Sequence, residues 1–339
     1  MNSKQEILEF YGSERDCFDV HGLLWIEQNQ DFSRLPKDVH VSDVIDRLKE
    51  NPSGAYLSFE TDSPILAIRA KRPEKAFMSH MTAIGQGGFD LYIRRNGKLL
   101  FLNSAKTDQT EYELVLAEGL PRGKHSFRLY FPLYMALSSV AIGVRKDSHI
   151  ERSERINPEK IVFYGTSITQ GGCANRPGMT FSSMVGRQFP QEVINLGFSG
   201  NALLQPEMSQ TIAFIPNMKA LIVEVEANAG DLGVLKDRFE PFMKPIIAKN
   251  PDMKVIVISH FPQTLSLYKQ AIRDRFADLL IYQRTQCENN GWMFLDGMKI
   301  LKPLHFEETV DGVHLTDLGF YFVGQALIKS LKALGFKTV

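Results

Sequence analysis

Lys160-Ile-Val-Phe-Tyr-Gly-Thr-Ser-Ile-Thr-Gln-Gly-Gly172 begins as a short apolar run and breaks into glycines and hydroxyl residues. An apolar run of this length, bounded by glycine, reads as a strand buried on both faces. Similar runs recur at 192–196, 220–225, 254–258 and 292–295. Between and after them lie amphipathic segments at about 179–189, 207–215, 234–249, 265–289 and 317–334. Five strands alternating with helices predict an α/β fold, a doubly wound parallel five-stranded sheet covered on both sides.

Upstream the period changes. Short strands are expected at 54–60, 65–70, 89–95, 98–102, 111–116, 125–131 and 139–144, with no helices between them. Asn96-Gly97 is a hairpin signal because both residues tolerate positive φ, and Leu120-Pro-Arg-Gly123 is a further turn. This spacing predicts an antiparallel β-sandwich, preceded by one helical turn carrying Val41, Val44, Ile45 and Leu48. A charged connection at 145–158 separates the halves, giving a sandwich domain at 1–150 and an α/β domain at 151–339.

Composition narrows the function. Lys+Arg and Asp+Glu balance at 39 each, with no basic stripe, so neither nucleic acid nor an anionic membrane surface is an expected partner. No run of about 18 apolar residues appears, so no membrane span is expected. The start, Met1-Asn-Ser-Lys-Gln-Glu, shows no secretory signal, and the three cysteines are dispersed. A reducing, cytoplasmic setting is therefore expected, with a secreted protein trimmed at its start left open. The eight histidines include no H-E-x-x-H and no other close ligand pair, so no metal is expected. No cofactor is expected either, since the Gly-rich turn lacks both the Walker lysine and the G-x-G-x-x-G spacing.

Ligands in an open α/β sheet gather at the carboxyl ends of the strands. Ser167, just past the first strand and flanked by glycines, can expose its Oγ as a nucleophile, although an ordinary turn or a phosphate loop would read similarly. The second run ends Asn195-Leu-Gly-Phe-Ser-Gly-Asn201, where Gly200 N–H is a candidate oxyanion donor or part of a plain turn. The third ends Glu224-Val-Glu-Ala-Asn228, placing an amide donor, or a turn former, at the same edge. Asp311-Gly-Val-His314 precedes the last helix; three residues apart, the carboxylate can bond the imidazole Nδ1 and orient it as a base. Thr316 reads as the N-cap of that helix.

Taken in order, Gly-x-Ser, Ser-Gly-Asn, the third-strand Asn and Asp-x-x-His resemble the SGNH/GDSL hydrolase superfamily over residues 159–334. The resemblance implies Ser167 as nucleophile, His314 as base and Asp311 as its orienting acid. It also implies an oxyanion hole made of Ser167 N–H, Gly200 N–H and the Asn228 side chain. Gly88-Phe-Asp-Leu-Tyr92, Leu133-Tyr134 and Ser139-Val-Ala-Ile-Gly143 resemble the GxDLY-type sandwich found before some of these esterases. The segment 165–178, ending Arg176-Pro-Gly178, resembles the same subgroup.

Two departures stand out. Thr166 replaces the Asp of the Gly-Asp-Ser signature, and Ala227-Asn228-Ala229 replaces the frequent Gly-Asn-Asp. Glu224 reads as structural and Glu226 as lining the site; His260 reads as a satisfied core or loop histidine. The expected activity is hydrolysis of a small acyl ester, acetyl foremost, on a carbohydrate, through an acyl-enzyme. An acyltransferase using the same triad and a silent carbohydrate-binding protein are the alternatives. The acyl group, the alcohol and the oligomeric state are not legible.

Overall fold

The computed structural model describes residues 7–153 and 157–339. The first six residues, on which the expectation of no secretory signal rests, and positions 154–156 of the charged connection lie outside the described residues.

Five parallel strands form one sheet in the order Glu192–Gly197, Lys160–Gly165, Met218–Glu224, Lys254–Ile258, Met293–Leu295. Strands one and two in chain order, Lys160–Gly165 and Glu192–Gly197, are buried along their whole length. Side chains alternate between two faces, as strand geometry requires. Val162, Tyr164, Leu221, Val223, Val255 and Val257 share a core with Pro206–Ala213 and Leu232–Lys249. Ile161, Phe163, Ala220, Ile222, Ile256 and Ile258 share another with Phe181–Gly186 and Asp317–Ala333. The strand Lys160–Gly165 has its sequence successors on both sides, so the winding reverses at it. Doubly wound sheets bind ligands at the carboxyl end of that reversal.

In the first half, the strands Leu8–Gly12, Ser139–Arg145, Ile65–Lys71 and Glu111–Glu118 make one antiparallel sheet. Ile150–Glu151, Tyr56–Thr61, His125–Tyr130, Asp90–Arg95 and Lys98–Ser104 make the other, with Asp19–His21 paired to Tyr56–Thr61. Ile68, Val140 and Ile142 meet Leu57, Phe59, Leu91 and Leu129 between them, which is the predicted sandwich. The seven expected strands are present, and Asn96 (φ 50°) and Gly97 (φ 77°) turn the hairpin between two of them. Leu8–Gly12, Asp19–His21 and Ile150–Glu151 were not expected; two of them are only two or three residues long, too short for a period to show. A short helix, Ala83–Gly87, interrupts the stretch expected to lack helices.

Residues 22–54 contribute to both cores: Leu23, Ile26 and Phe32 pack in the sandwich, Phe32 edge-on to Phe131, while later residues pack on the α/β sheet. Leu35 and Ile45 are fully buried in the same core as Val162 and Leu196. Ile45 lies on the helix Asp43–Leu48, capped by Ser42. Arg34, also buried, donates to the carbonyls of Asn195 (3.0 Å) and Gly197 (2.7 Å) and lies 4.5 Å from the Phe198 ring centre. Gly22 N–H donates to Glu192, which pairs with Lys160. This segment therefore ties the sandwich to the α/β sheet.

Candidate active site

The strand Lys160–Gly165 hands over directly to a one-turn helix, Ser167–Gln170. Thr166 caps it, its Oγ1 accepting from Ile168 N–H. Gly165 is required here: a Cβ would lie 2.1 Å from Thr169 Oγ1 and 2.7 Å from the Glu224 carbonyl oxygen. Ser167 thus becomes the first helical residue, where the backbone N–H has no partner within the helix. Its Oγ lies 2.9 Å from His314 Nε2.

Thr166 is itself held by Glu224. Glu224 Oε2 accepts from Thr166 Oγ1 (2.7 Å), Thr166 N–H (3.2 Å) and Thr169 Oγ1 (2.9 Å), while its Oε1 is buried with no partner among the described residues. Burial pushes this carboxyl up to about 7, against the pull of the Thr166 and Thr169 hydrogen bonds. The strand register that pairs Gly165 with Glu224 brings the carboxylate beneath the nucleophile turn.

His314 closes a compact loop. Asp311 Oδ1 accepts from the backbone N–H of Val313 (3.0 Å) and His314 (2.8 Å), and Asp311 Oδ2 lies 2.7 Å from His314 Nδ1. Burial alone would raise the Asp311 carboxyl, but these bonds from His314 and Val313 outweigh it and hold it below the usual carboxylate range. Gly312 (φ 88°) makes the bend. Thr316 caps the helix Asp317–Ala333 as expected, and Asp317 also accepts from Asn175 N–H, tying this loop to the one after Ser167. Ser167, His314 and Asp311, widely separated in sequence, therefore form one continuous hydrogen-bonded chain.

The three expected donors lie on turns linked to one another. Gln170 Oε1 accepts from Ser199 N–H, positioning the turn that carries Gly200 (φ 70°). Ala202 N–H donates to Asn228 Oδ1, an assignment that leaves Nδ2 as the free donor end of the amide. Among the described residues, the N–H groups of Ser167 and Gly200 and Asn228 Nδ2 donate to no protein acceptor.

The sandwich reaches this site. Tyr134 OH donates to the Ser167 carbonyl oxygen (3.0 Å), and Gln170 Nε2 donates to the Leu133 carbonyl. Asp90, fully buried, accepts from Arg176 Nη1 (2.8 Å), Gly178 N–H (2.8 Å) and Ser104 Oγ (2.6 Å). A Cβ on Gly178 would lie 2.3 Å from Tyr92 OH. Asp90 and Tyr92 of the first half therefore interlock with the Arg176-Pro-Gly178 turn of the second.

Other residues were placed differently by the sequence or not seen in it. Glu226, expected to line the site, is buried and spends both oxygens on His260, through its Nδ1 and its backbone N–H. His260 is accordingly a satisfied histidine, stacked on Phe276. His80, from the sandwich half, stands 5.7 Å ring to ring from His314, and Cys173 Sγ lies 3.3 Å from the His80 carbonyl oxygen. No local motif marks His80; only the packing of the two halves brings it there.

Comparison with known proteins agrees with this architecture. Residues 158–332 match the GDSL-like lipase/acylhydrolase family, and residues 8–150 match the GxDLY family, the N-terminus of SGNH-hydrolase-type esterases. Among solved structures, a protein of Bacteroides ovatus classed as a GDSL-like lipase superposes with a TM-score of 0.86 at 28% identity. The match covers 98% of this chain and 99% of that one. The salicylyl-acyltransferase SsfX3 of a tetracycline biosynthetic pathway gives a TM-score of 0.72 at 19% identity, over 97% and 98% of the two chains. A family two carbohydrate esterase from Cellvibrio japonicus gives 0.62 at 12%, again over 97% and 98%. None of the curated proteins compared matches the chain.

Proposed function

Since the chain belongs to the GDSL-like lipase/acylhydrolase family and is an esterase, we propose that it removes a small acyl group, acetyl foremost, from a carbohydrate alcohol by way of a Ser167 acyl-enzyme. The observation that carries this reading is the chain from Ser167 Oγ through His314 to Asp311. Ser167 Oγ attacks the ester carbonyl carbon as its proton passes to His314 Nε2. Asp311, ionised and bonded to Nδ1, fixes the tautomer and stabilises the imidazolium that forms. The negative charge that develops on the carbonyl oxygen is met by Ser167 N–H, Gly200 N–H and Asn228 Nδ2, donors with no other partner among the described residues. Collapse of the tetrahedral intermediate breaks the ester C–O bond, and His314 returns its proton to the departing alcohol. Water then repeats the sequence and frees Ser167.

A carbohydrate alcohol suits the polar surroundings of Ser167, where Asn228, Ser199 and Gly200 are at least partly open to solvent. The sandwich, bonded to the nucleophile turn through Tyr134 and Leu133, helps shape the site that receives the alcohol. The folds of the acyltransferase and the carbohydrate esterase are compatible with either acceptor, since both chemistries share the acyl-enzyme. Aryl acetate, butyrate and octanoate esters should be assayed beside a panel of acetylated mono- and oligosaccharides, with products analysed with and without an acceptor sugar. The proposal expects highest kcat/KM on acetyl esters, with free acetate as product. Preference for long acyl chains, or acyl sugar as the main product, would overturn it.

A further inference from the structure

We propose that His80 and Cys173, together with His314 and Asp311, form a binding site for a thiophilic divalent cation of the zinc type, and that the bound ion silences the esterase. Each of the four residues offers one ligand atom, and these atoms all lie within 4.8 Å of one another. Two imidazoles, a thiol and a carboxylate are the donor types zinc takes, at bond lengths of about 2.0–2.3 Å. Such bonds imply donor-to-donor separations of about 3.3–3.8 Å in a tetrahedral site, so a contraction of about 1 Å completes the cage. His80 is exposed and can supply that movement, whereas Cys173 is buried.

The placement of Cys173 is not that of a mere space-filler. Its backbone has φ 71°, a left-handed conformation uncommon outside glycine, and it follows the two glycines that end the nucleophile turn. Strain of this sort persists where the surroundings over-determine it and concentrates at ligand clamps. No step of the ester hydrolysis above uses His80 or Cys173, so their convergence on His314 is not explained by that reaction. The four ligands come from positions 80, 173, 311 and 314, a spacing with no metal signature, which is why the sequence predicts no metal.

Binding balances as a simple exchange. The ion takes lone pairs from the imidazoles and the carboxylate, and the Cys173 thiol releases its proton to solvent as the thiolate bonds the metal. If the ion holds His314 Nε2, that lone pair is gone; if it holds Nδ1, the displaced ring proton moves to Nε2. Either way Nε2 no longer accepts the Ser167 proton, and hydrolysis stops until the ion leaves. The inhibition, though not the binding, rests on reading His314 as the base.

The test uses the full-length protein freed of metals with a chelator. Cobalt(II) serves as a spectroscopic stand-in for zinc, and ester hydrolysis is followed separately during zinc titration. The wild type should develop a thiolate-to-cobalt absorption band at one ion per chain, and zinc should inhibit reversibly, with activity restored by chelator. Cys173→Ser should lose the band, and His80→Ala should weaken both cobalt binding and zinc inhibition by at least about 10–100-fold, the scale that even outer ligand partners command. Both variants should hydrolyse ester normally without zinc. Unchanged zinc inhibition in His80→Ala, or no thiolate band in the folded wild type, would overturn the site. A band without any esterase activity would leave the site standing and defeat the esterase reading instead.

Discussion

Glu224 Oε2 accepts a 2.7 Å hydrogen bond from Thr166 Oγ1, so the residue before the nucleophile is braced from the neighbouring strand. In the signature that this segment resembles, an aspartate occupies position 166. Here threonine supplies the donor and Glu224 the carboxyl group, with Thr169 Oγ1 as a further donor.

This brace has a measurable pH signature. The Glu224 carboxyl is raised from 4.5 to about 7 in the folded protein, so the fold retains a proton that the unfolded chain releases earlier. The stability contributed by the neutral form is fully present below the unfolded value and is lost as pH rises through about 7. Glu224→Gln, a neutral replacement of the same shape, should flatten the fall in stability between those two values. Urea midpoints for wild type and variant at pH 5 to 7.5 measure this; parallel slopes would mean that Glu224 does not titrate as described.

Asn228 should act on the transition state. Its Oδ1 is anchored by Ala202 N–H and its Nδ2 is free, so Asn228→Ala should lower kcat by about 10²–10³ with little change in KM. A change confined to KM would make Asn228 a substrate-binding residue instead.

Asp90 should matter to stability across the two halves. It is fully buried and joins Arg176 and Gly178 to the sandwich, and breaking such a pair typically costs about 3–5 kcal/mol. Asp90→Ala should lower the denaturant midpoint accordingly, and Asp90→Ala with Arg176→Ala should cost less than the sum of the two single changes. Additive losses would show that the pair is not coupled.

A chain beginning at residue 157 should fail to melt cooperatively. It would lack Leu35 and Ile45, which complete the core around Val162 and Leu196, and Arg34, which bonds the carbonyls of Asn195 and Gly197. A sharp two-state thermal transition for this fragment would show that residues 22–54 are dispensable.

Much of this arrangement could be read from the residues, and the limits are physical. The five strands of the parallel sheet are near-continuous apolar runs because both faces are buried, and Ser167, Gly200, Asn228 and His314 follow them in chain order at the expected edge. The cover supplied by residues 22–54 was not legible, since a single helical turn carries little periodicity and a fully buried arginine contradicts the usual pattern. The role of Glu224 depends on the register that sets it opposite Gly165, and register between parallel strands leaves no local trace. His80 reaches His314 only through the docking of the two halves, and Glu226 was misplaced because its partner His260 lies on the next strand's end.

The central claim is that Ser167 carries the acyl group. Treating the folded protein with a fluorophosphonate and mapping the adduct by peptide mass spectrometry tests it most directly. The account predicts one modified serine, Ser167, with no label in Ser167→Ala and a loss of about 10⁴-fold or more in kcat for that variant. Labelling at a different serine, together with full activity in Ser167→Ala, would contradict it.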